Sequence, residues 1–384
     1  MFTIDVRKIY HPELFNRKPR ISVDSGKFIS LGEQNKAIRH MRALEFDLVP
    51  GFIELQINGA FGFDFTSHPD SIWRVAERLP EFGITTCLPT IITSPLNVME
   101  NAMQVWKNNK PVGFQGSYLP GLHFEGPFLN PKKKGVHAEG LFQLADPRLV
   151  QNWTPQNGVR MVTIAPEIPG AINLIITLSQ RGILISAGHS LADAYQARAG
   201  FGAGIRYATH LFNAMTPVHH REPGLAIAVL DHAEVSFGMI LDGLHVAPEL
   251  VRMAWRYQGN RRLTLVTDAS AALGMPAGTY PLGENEIQVD EFSAHLADGT
   301  LAGSILTPLK ALQNLQTFTK STFQEALACW TTNPARVLGL RDRGVIRPGA
   351  VADFVLLSAD QEVAATFVAG ELVYQAPWAN LIWD

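Results

Sequence analysis

Cysteine is nearly absent: Cys87 and Cys329 are the two in 384 residues. Two such thiols make neither a disulfide framework nor a Cys-x-x-Cys metal knuckle, and they suit a reducing compartment. No apolar run approaches the roughly 20 residues of a membrane-spanning helix. The opening MFTIDVRKIY has no basic segment followed by an apolar core, as a secretory signal has, so a cytoplasmic protein without a membrane partner is expected. Basic excess is missing too. Lys and Arg total 32 against 35 Asp and Glu, a formal net charge of −3, which leaves no electrostatic footprint for nucleic acid. Internal repeats and low-complexity segments are also lacking. What remains, with 46% hydrophobic residues, is a chain with a large core and more than the ~250 residues of a typical barrel domain.

From residue 50 onward, apolar runs of strand length alternate with helical stretches. Strands are expected at 52–56, 84–88, 119–124, 159–165, 183–187, 205–209, 235–240 and 263–267, and helices at 71–82, 96–108, 171–181, 191–199 and 248–257. Eight strands alternating with helices fit the α/β class as a (β/α)8 barrel. A doubly wound sheet would carry a Gly-rich phosphate loop after its first strand; here that strand runs into Gln56-Ile57-Asn58-Gly59-Ala60. A long connection at 268–304, with a hairpin-like piece at 280–296, is of the kind that covers a barrel mouth. Helices at 307–318, 323–330 and 334–338 follow. Both ends read as β structure: a hairpin around Ser25-Gly26, a strand at 44–48, and strands at 352–357, 364–368 and 371–374. Neither end alone buries its apolar face, so residues 1–49 and 344–384 are expected to form one small β-sandwich domain beside a barrel domain of 50–343.

In a barrel, functional residues stand at the C-terminal strand ends. There the chain places Gln56, Asn58, Glu125, Glu167, His189, His210, His245 and Asp268. Glu125, His189 and His210 supply one carboxylate and two imidazoles, a set Zn²⁺ takes when it keeps a position for water, and one that Fe²⁺ or another divalent ion accepts equally. Such an ion lowers the pKa of its water toward ~7 and polarises a carbonyl. Asp268, ending VTDA, reads as a proton carrier or a loop anchor; Glu167, between Pro166 and Pro169, reads as structural. His137 lies in a loop behind Lys132, Lys133 and Lys134, which read as solvated residues able to raise the local potential for an anion. Arg221 suits a phosphate or carboxylate through its planar fork, or a surface ion pair.

Taken together, PGFIELQINGAFG, LPTIITS, GLHFEGPFLNPKKKGVH, TIAPE, SAGHS, ATHLFNAM, REPGLAI, DGLHV, LVTDA and GTLAGS, with RGVIRPGAVADFVLL near the end, resemble the amidohydrolase superfamily. Within it they are similar to the N-acetylglucosamine-6-phosphate deacetylase family, in that family's order over nearly the whole length. The resemblance implies metal-dependent hydrolysis of the acetamide of N-acetylglucosamine 6-phosphate by a metal-bound hydroxide. It makes Glu125, His189 and His210 ligands of one divalent ion per subunit, with Zn²⁺ expected and Fe²⁺, Co²⁺ or Mn²⁺ also accommodated. Asp268 becomes general base and acid, and His245 polarises the acyl carbonyl or contacts the sugar, with His137 nearby. Val136 by its backbone, Asn213, Ala214, Ala302, Gly303 and Ser304 line the sugar phosphate. Arg221 reaches the phosphate of a neighbouring subunit's site, which implies a homodimer or homotetramer.

Where many amidohydrolases have His-x-His, this chain has Gln56-x-Asn58. An amide ligates poorly, so one ion is expected, with Gln56 bonded to its water or to a ligand side chain. TDASAALG departs slightly from the family pattern and leaves the sugar preference open. The rival readings are deacetylation of the galactosamine form, a cyclic amidase, and a catalytically inactive barrel.

Overall fold

The computed structural model describes residues 1–10, 20–32, 39–257 and 259–384. All eight expected barrel strands are present, at Phe52–Ile57, Ile84–Ile92, Leu122–Glu125, Val159–Ile164, Leu184–Ala187, Ile205–Ala208, Ser236–Met239 and Leu263–Leu265. Each pairs in parallel with its sequence neighbour. Phe52–Ile57 and Ile84–Ile92 are buried at every position, as strands covered on both faces must be. The barrel closes where the first strand meets the segment after the eighth, with Asp268 N–H donating to the Gln56 carbonyl at 2.9 Å and Asn58 N–H to that of Ala269 at 2.8 Å.

The surrounding helices follow expectation at Leu96–Asn108, Ala171–Gln180 and Pro248–Arg256. The stretch 71–82 instead splits into Ile72–Arg78 and a 3-10 turn at Leu79–Phe82, because Pro80 has no N–H to continue the ladder. The helix expected at 191–199 is Ala194–Ala203, started by a capping box in which Asp193 and Gln196 exchange hydrogen bonds. The third connection has no α-helix. Its prolines open short 3-10 turns at Pro131–Lys133, Pro147–Val150 and Pro155–Asn157, which leaves residues 126–142 free to fold over the mouth as a loop. Opposite that loop stand the three antiparallel strands Gly278–Leu282, Asn285–Val289 and Ala294–His295.

The two ends of the chain form one mixed sheet that curls back on itself. Its order runs Glu371–Gln375, Val363–Val368, Phe354–Leu357, Arg39–Pro50, Phe2–Ile9, Arg20–Asp24, Lys27–Leu31, with Ile382–Trp383 added along Arg39–Pro50. Ser25 and Gly26 take the two left-handed positions of the expected tight turn, at φ 48° and 75°. The curl brings Phe28 N–H to the Ala350 carbonyl at 3.0 Å and encloses a core containing Phe28, Phe354 and Phe367. Strand alternation splits Phe354–Leu357 between two cores: Phe354 and Leu356 face the terminal one, Val355 and Leu357 that of the barrel. Among the described residues, no helix is long and apolar enough to cross a membrane.

Candidate metal centre and active site

Glu125 ends the third barrel strand, and His189 and His210 each stand two residues beyond the fifth and sixth. Nε2 of His189 lies 3.3 Å and Nε2 of His210 3.0 Å from Oε1 of Glu125, and the two nitrogens are 3.1 Å apart. Donors about 2.0–2.1 Å from a tetrahedral Zn²⁺ stand roughly 3.3 Å from one another, so the spacing of this buried trio fits a divalent ion. Its donor chemistry fits as well. Nδ1–H of His189 donates to the Lys133 carbonyl at 2.8 Å, which fixes the tautomer that leaves Nε2 free to ligate. Gln56 Nε2 donates to Oε1 of Glu125 at 2.9 Å, and its own Oε1 accepts the Thr209 hydroxyl. The amide thus holds the carboxylate of a candidate ligand. Burial works to raise the Glu125 carboxyl, but hydrogen bonds from His189 and His210 outweigh it and hold it well below the usual range. Burial lowers His210, and the bond and charge of Glu125 override that to raise it.

Asp268 faces these ligands from the far side of the barrel seam. Asn58 Nδ2 donates to its Oδ1 at 2.8 Å. Burial, then the Glu125 charge, push its carboxyl up to about 6, against the opposing pull of His210 and Asn58. His189, His210 and Asp268 all have left-handed backbones, at φ 48°, 26° and 49°. For a non-glycine residue that costs of order 1–3 kcal/mol and is characteristic of functional sites. His245 donates Nδ1–H to Asp242 Oδ2 at 2.6 Å, which turns Nε2 to the cavity. His137 accepts the Thr93 N–H on Nδ1 at 3.2 Å, so Nε2 carries the proton, 3.9 Å from Oε2 of Glu125. Burial and then the charge of His189 hold this ring down to about 3, hence neutral.

These groups line one cavity of about 560 Å³, together with Val136, Asn213, Ala214, Gly303 and the three lysines 132–134. Among the other residues singled out in the sequence, Arg221 is exposed and outside this cavity. Ala302 and Ser304 are buried; the Ser304 hydroxyl donates to the Thr267 carbonyl at 2.6 Å. Glu167 accepts Leu191 N–H at 2.6 Å and the Ser190 hydroxyl at 2.7 Å, buttressing the segment just after His189.

Sequence reasoning missed Asp242, Thr93 and Asn285, whose Nδ2 holds the Val136 carbonyl at 2.7 Å. It also missed Glu54. A signal for Glu54 existed: Glu54, Gln56 and Asn58 alternate with Phe52–Ile57's apolar residues at period two and so share the inward face.

Comparison with known proteins follows the same geometry. Residues 48–373 match the amidohydrolase family. The chain is 38% identical over 348 residues to N-acetylglucosamine-6-phosphate deacetylase of Homo sapiens, covering 87% of this chain and 85% of that one. The crystal structure of the deacetylase from Thermotoga maritima is similar at a TM-score of 0.89 and 31% identity, over 97% of this chain and 100% of that one. An aspartate-to-alanine variant of the Mycobacterium smegmatis enzyme, in complex with N-acetyl-D-glucosamine-6-phosphate, is similar at a TM-score of 0.89 and 31% identity, over 97% and 99% of the two chains.

Proposed function

The chain belongs to the amidohydrolase family and, within it, to the N-acetylglucosamine-6-phosphate deacetylases, and from that premise we propose that it hydrolyses N-acetylglucosamine 6-phosphate to glucosamine 6-phosphate and acetate. One observation carries the assignment beyond membership: Glu125, His189 and His210 have ligand atoms within 4.8 Å of one another, and Asp268 faces the same cavity. About 560 Å³ is ample for a monosaccharide phosphate.

A divalent ion held by Glu125, His189 and His210 would supply an activated water and a Lewis acid for the acyl oxygen, with Zn²⁺ the first choice and Fe²⁺, Co²⁺ or Mn²⁺ the alternatives. Asp268 takes the proton of the attacking water and returns it to the amide nitrogen as the C–N bond breaks, releasing acetate and a free amine. A carboxyl raised to about 6 is well matched to giving and taking a proton near neutrality. His245, its ring held by Asp242, presents Nε2 to the cavity, where it polarises the acyl carbonyl or contacts the sugar. His137 offers a neutral donor to the sugar through Nε2. Asn213, Ala214, the Val136 backbone and Gly303 border the sugar phosphate, with Ala302 and Ser304 buried next to Gly303 in the chain. Gln56 is committed to Glu125 and Thr209, which supports a single ion. The exposed position of Arg221 supports a contact with a neighbouring subunit's phosphate in a homodimer or homotetramer, and the cytoplasm is the proposed location.

Acetate release from four substrates tests the assignment: N-acetylglucosamine with and without 6-phosphate, the galacto epimer, and a cyclic amide. Release from the phosphorylated gluco sugar, at least ~10-fold faster than from the unphosphorylated one, is expected. Turnover of the cyclic amide alone would assign the cavity to an amidase instead.

A further inference from the structure

Glu54 is a fully buried carboxyl group with no ion-pair partner among the described residues. Its Oε1 accepts Gln56 N–H at 2.9 Å, and its Oε2 accepts Thr267 N–H at 2.9 Å. Those two N–H groups lie on opposite sides of the barrel seam. Every other pair of neighbouring barrel strands is joined by a ladder, whereas here the pairing is reduced to the single bridge Ile57–Ala269. Lower in the seam, Ile53 and Leu265 turn away from each other and donate to the carbonyls of Trp330 and Cys329. The Glu54 carboxyl group fills the interval, one oxygen for each edge.

What stands directly above this clasp gives it chemical meaning. On one edge Gln56 grips Glu125, the shared partner of both ligand histidines. On the other edge Thr267 leads into Asp268, which Asn58 holds from across the seam. Without the clasp, the distance between the ion-holding group and the proton carrier would rest on the short run of backbone bonds at the top of the seam and on the Asn58–Asp268 contact. We infer that Glu54 is a positioning residue for the deacetylation: it spans the barrel seam and fixes Asp268 relative to Glu125. The inference rests on the reaction assigned above. Only an anionic or neutral carboxyl of this length offers two acceptors to two inward N–H groups; an amide would point a donor at one of them.

Glu54→Gln and Glu54→Asp test it, with acetate release measured per metal-loaded chain, metal content, Tm, and a crystal structure of each. Misplacement of a reacting group by about 1 Å costs on the order of 10²-fold. E54Q is therefore expected to lose roughly 10- to 100-fold in kcat with KM changed by less than about threefold, one ion still bound, and the Asn58–Asp268 contact broken. E54D, which keeps both acceptors at shorter reach, is expected to lose less, about three- to tenfold. Should E54Q not fold, E54D decides by the same split of kcat from KM. A lower Tm with wild-type kcat per loaded site would reduce Glu54 to a fold-holding role and overturn the inference. A wild-type protein that releases no acetate would instead overturn the reaction assignment, and this inference with it.

Discussion

Asp268, the proposed proton carrier, shows how burial and neighbouring charge move a carboxyl. It must be ionised to accept a proton, and its carboxyl is raised to about 6, so kcat/KM is expected to fall as pH drops through that value. A bound divalent ion adds positive charge nearby, which moves the acid limb to about 6 or somewhat below; a pH–rate profile with no acid limb down to pH 4 would contradict this. Asp268→Asn should keep the ion and KM while kcat falls on the order of 10²–10⁴-fold, measured by acetate release. His123 offers a stability prediction of opposite character. Fully buried, with Nε2 2.7 Å from the Thr163 hydroxyl, it is driven down to about 4 by burial. Its folded form is neutral, so the stability tied to it is full above an unfolded value of about 6.5 and is lost as pH falls toward 4, by roughly 3 kcal/mol. His123→Asn should flatten the decline of Tm between pH 6.5 and 4; an unchanged decline would contradict the assignment. Candidate site residues were legible in the sequence because apolar runs stop abruptly at His189, His210 and Asp268. Their supports were not. Asn58 and Asp268 are 210 residues apart and Gln56 and Thr209 are 153 apart, and such partners are decided by how the barrel closes.

Elements were legible where the period was clean and opaque where it was not. Leu96–Asn108 matches its expected bounds because its apolar residues repeat at helical spacing and Pro95 precedes it. The helix Leu225–Asp231 escaped notice: five of its seven residues are buried, so it reads as an apolar run without a face. The third connection shows the converse, since its prolines were visible while their consequence, a mouth-lining loop without an α-helix, depends on tertiary contacts such as that between Asn285 and Val136. The capping box at Asp193 is a local device with a local effect. Asp193→Ala should lower unfolding free energy by about 1 kcal/mol in denaturant titration and leave kcat unchanged. A loss of activity would mean that the helix Ala194–Ala203 couples to His189.

At the scale of the whole molecule, the barrel supplies one end on which residues from seven of its strands or their following loops meet, while the curled terminal sheet covers its flank through Val355 and Leu357. Division into units at 1–49 with 344–384 and at 50–343 is our proposal for where the chain would separate. Assembly is the other property that lies beyond a single chain. If Arg221 serves a neighbour's phosphate, Arg221→Ala should raise KM for the phosphorylated sugar roughly 10- to 100-fold, the worth of a charged hydrogen-bonded contact. Mixed subunits of R221A and D268N should then regain activity, because a chain with intact Asp268 can borrow its partner's Arg221. A mixture whose activity at low substrate does not rise after exchange of subunits would place Arg221 elsewhere.

The proposed single ion held by Glu125, His189 and His210 is tested by titrating chelator-stripped protein with Zn²⁺ while acetate release from N-acetylglucosamine 6-phosphate is followed. Activity should rise linearly and break at one equivalent per chain; a break at two, or no activity at any ratio with Zn²⁺, Fe²⁺, Co²⁺ or Mn²⁺, would contradict it.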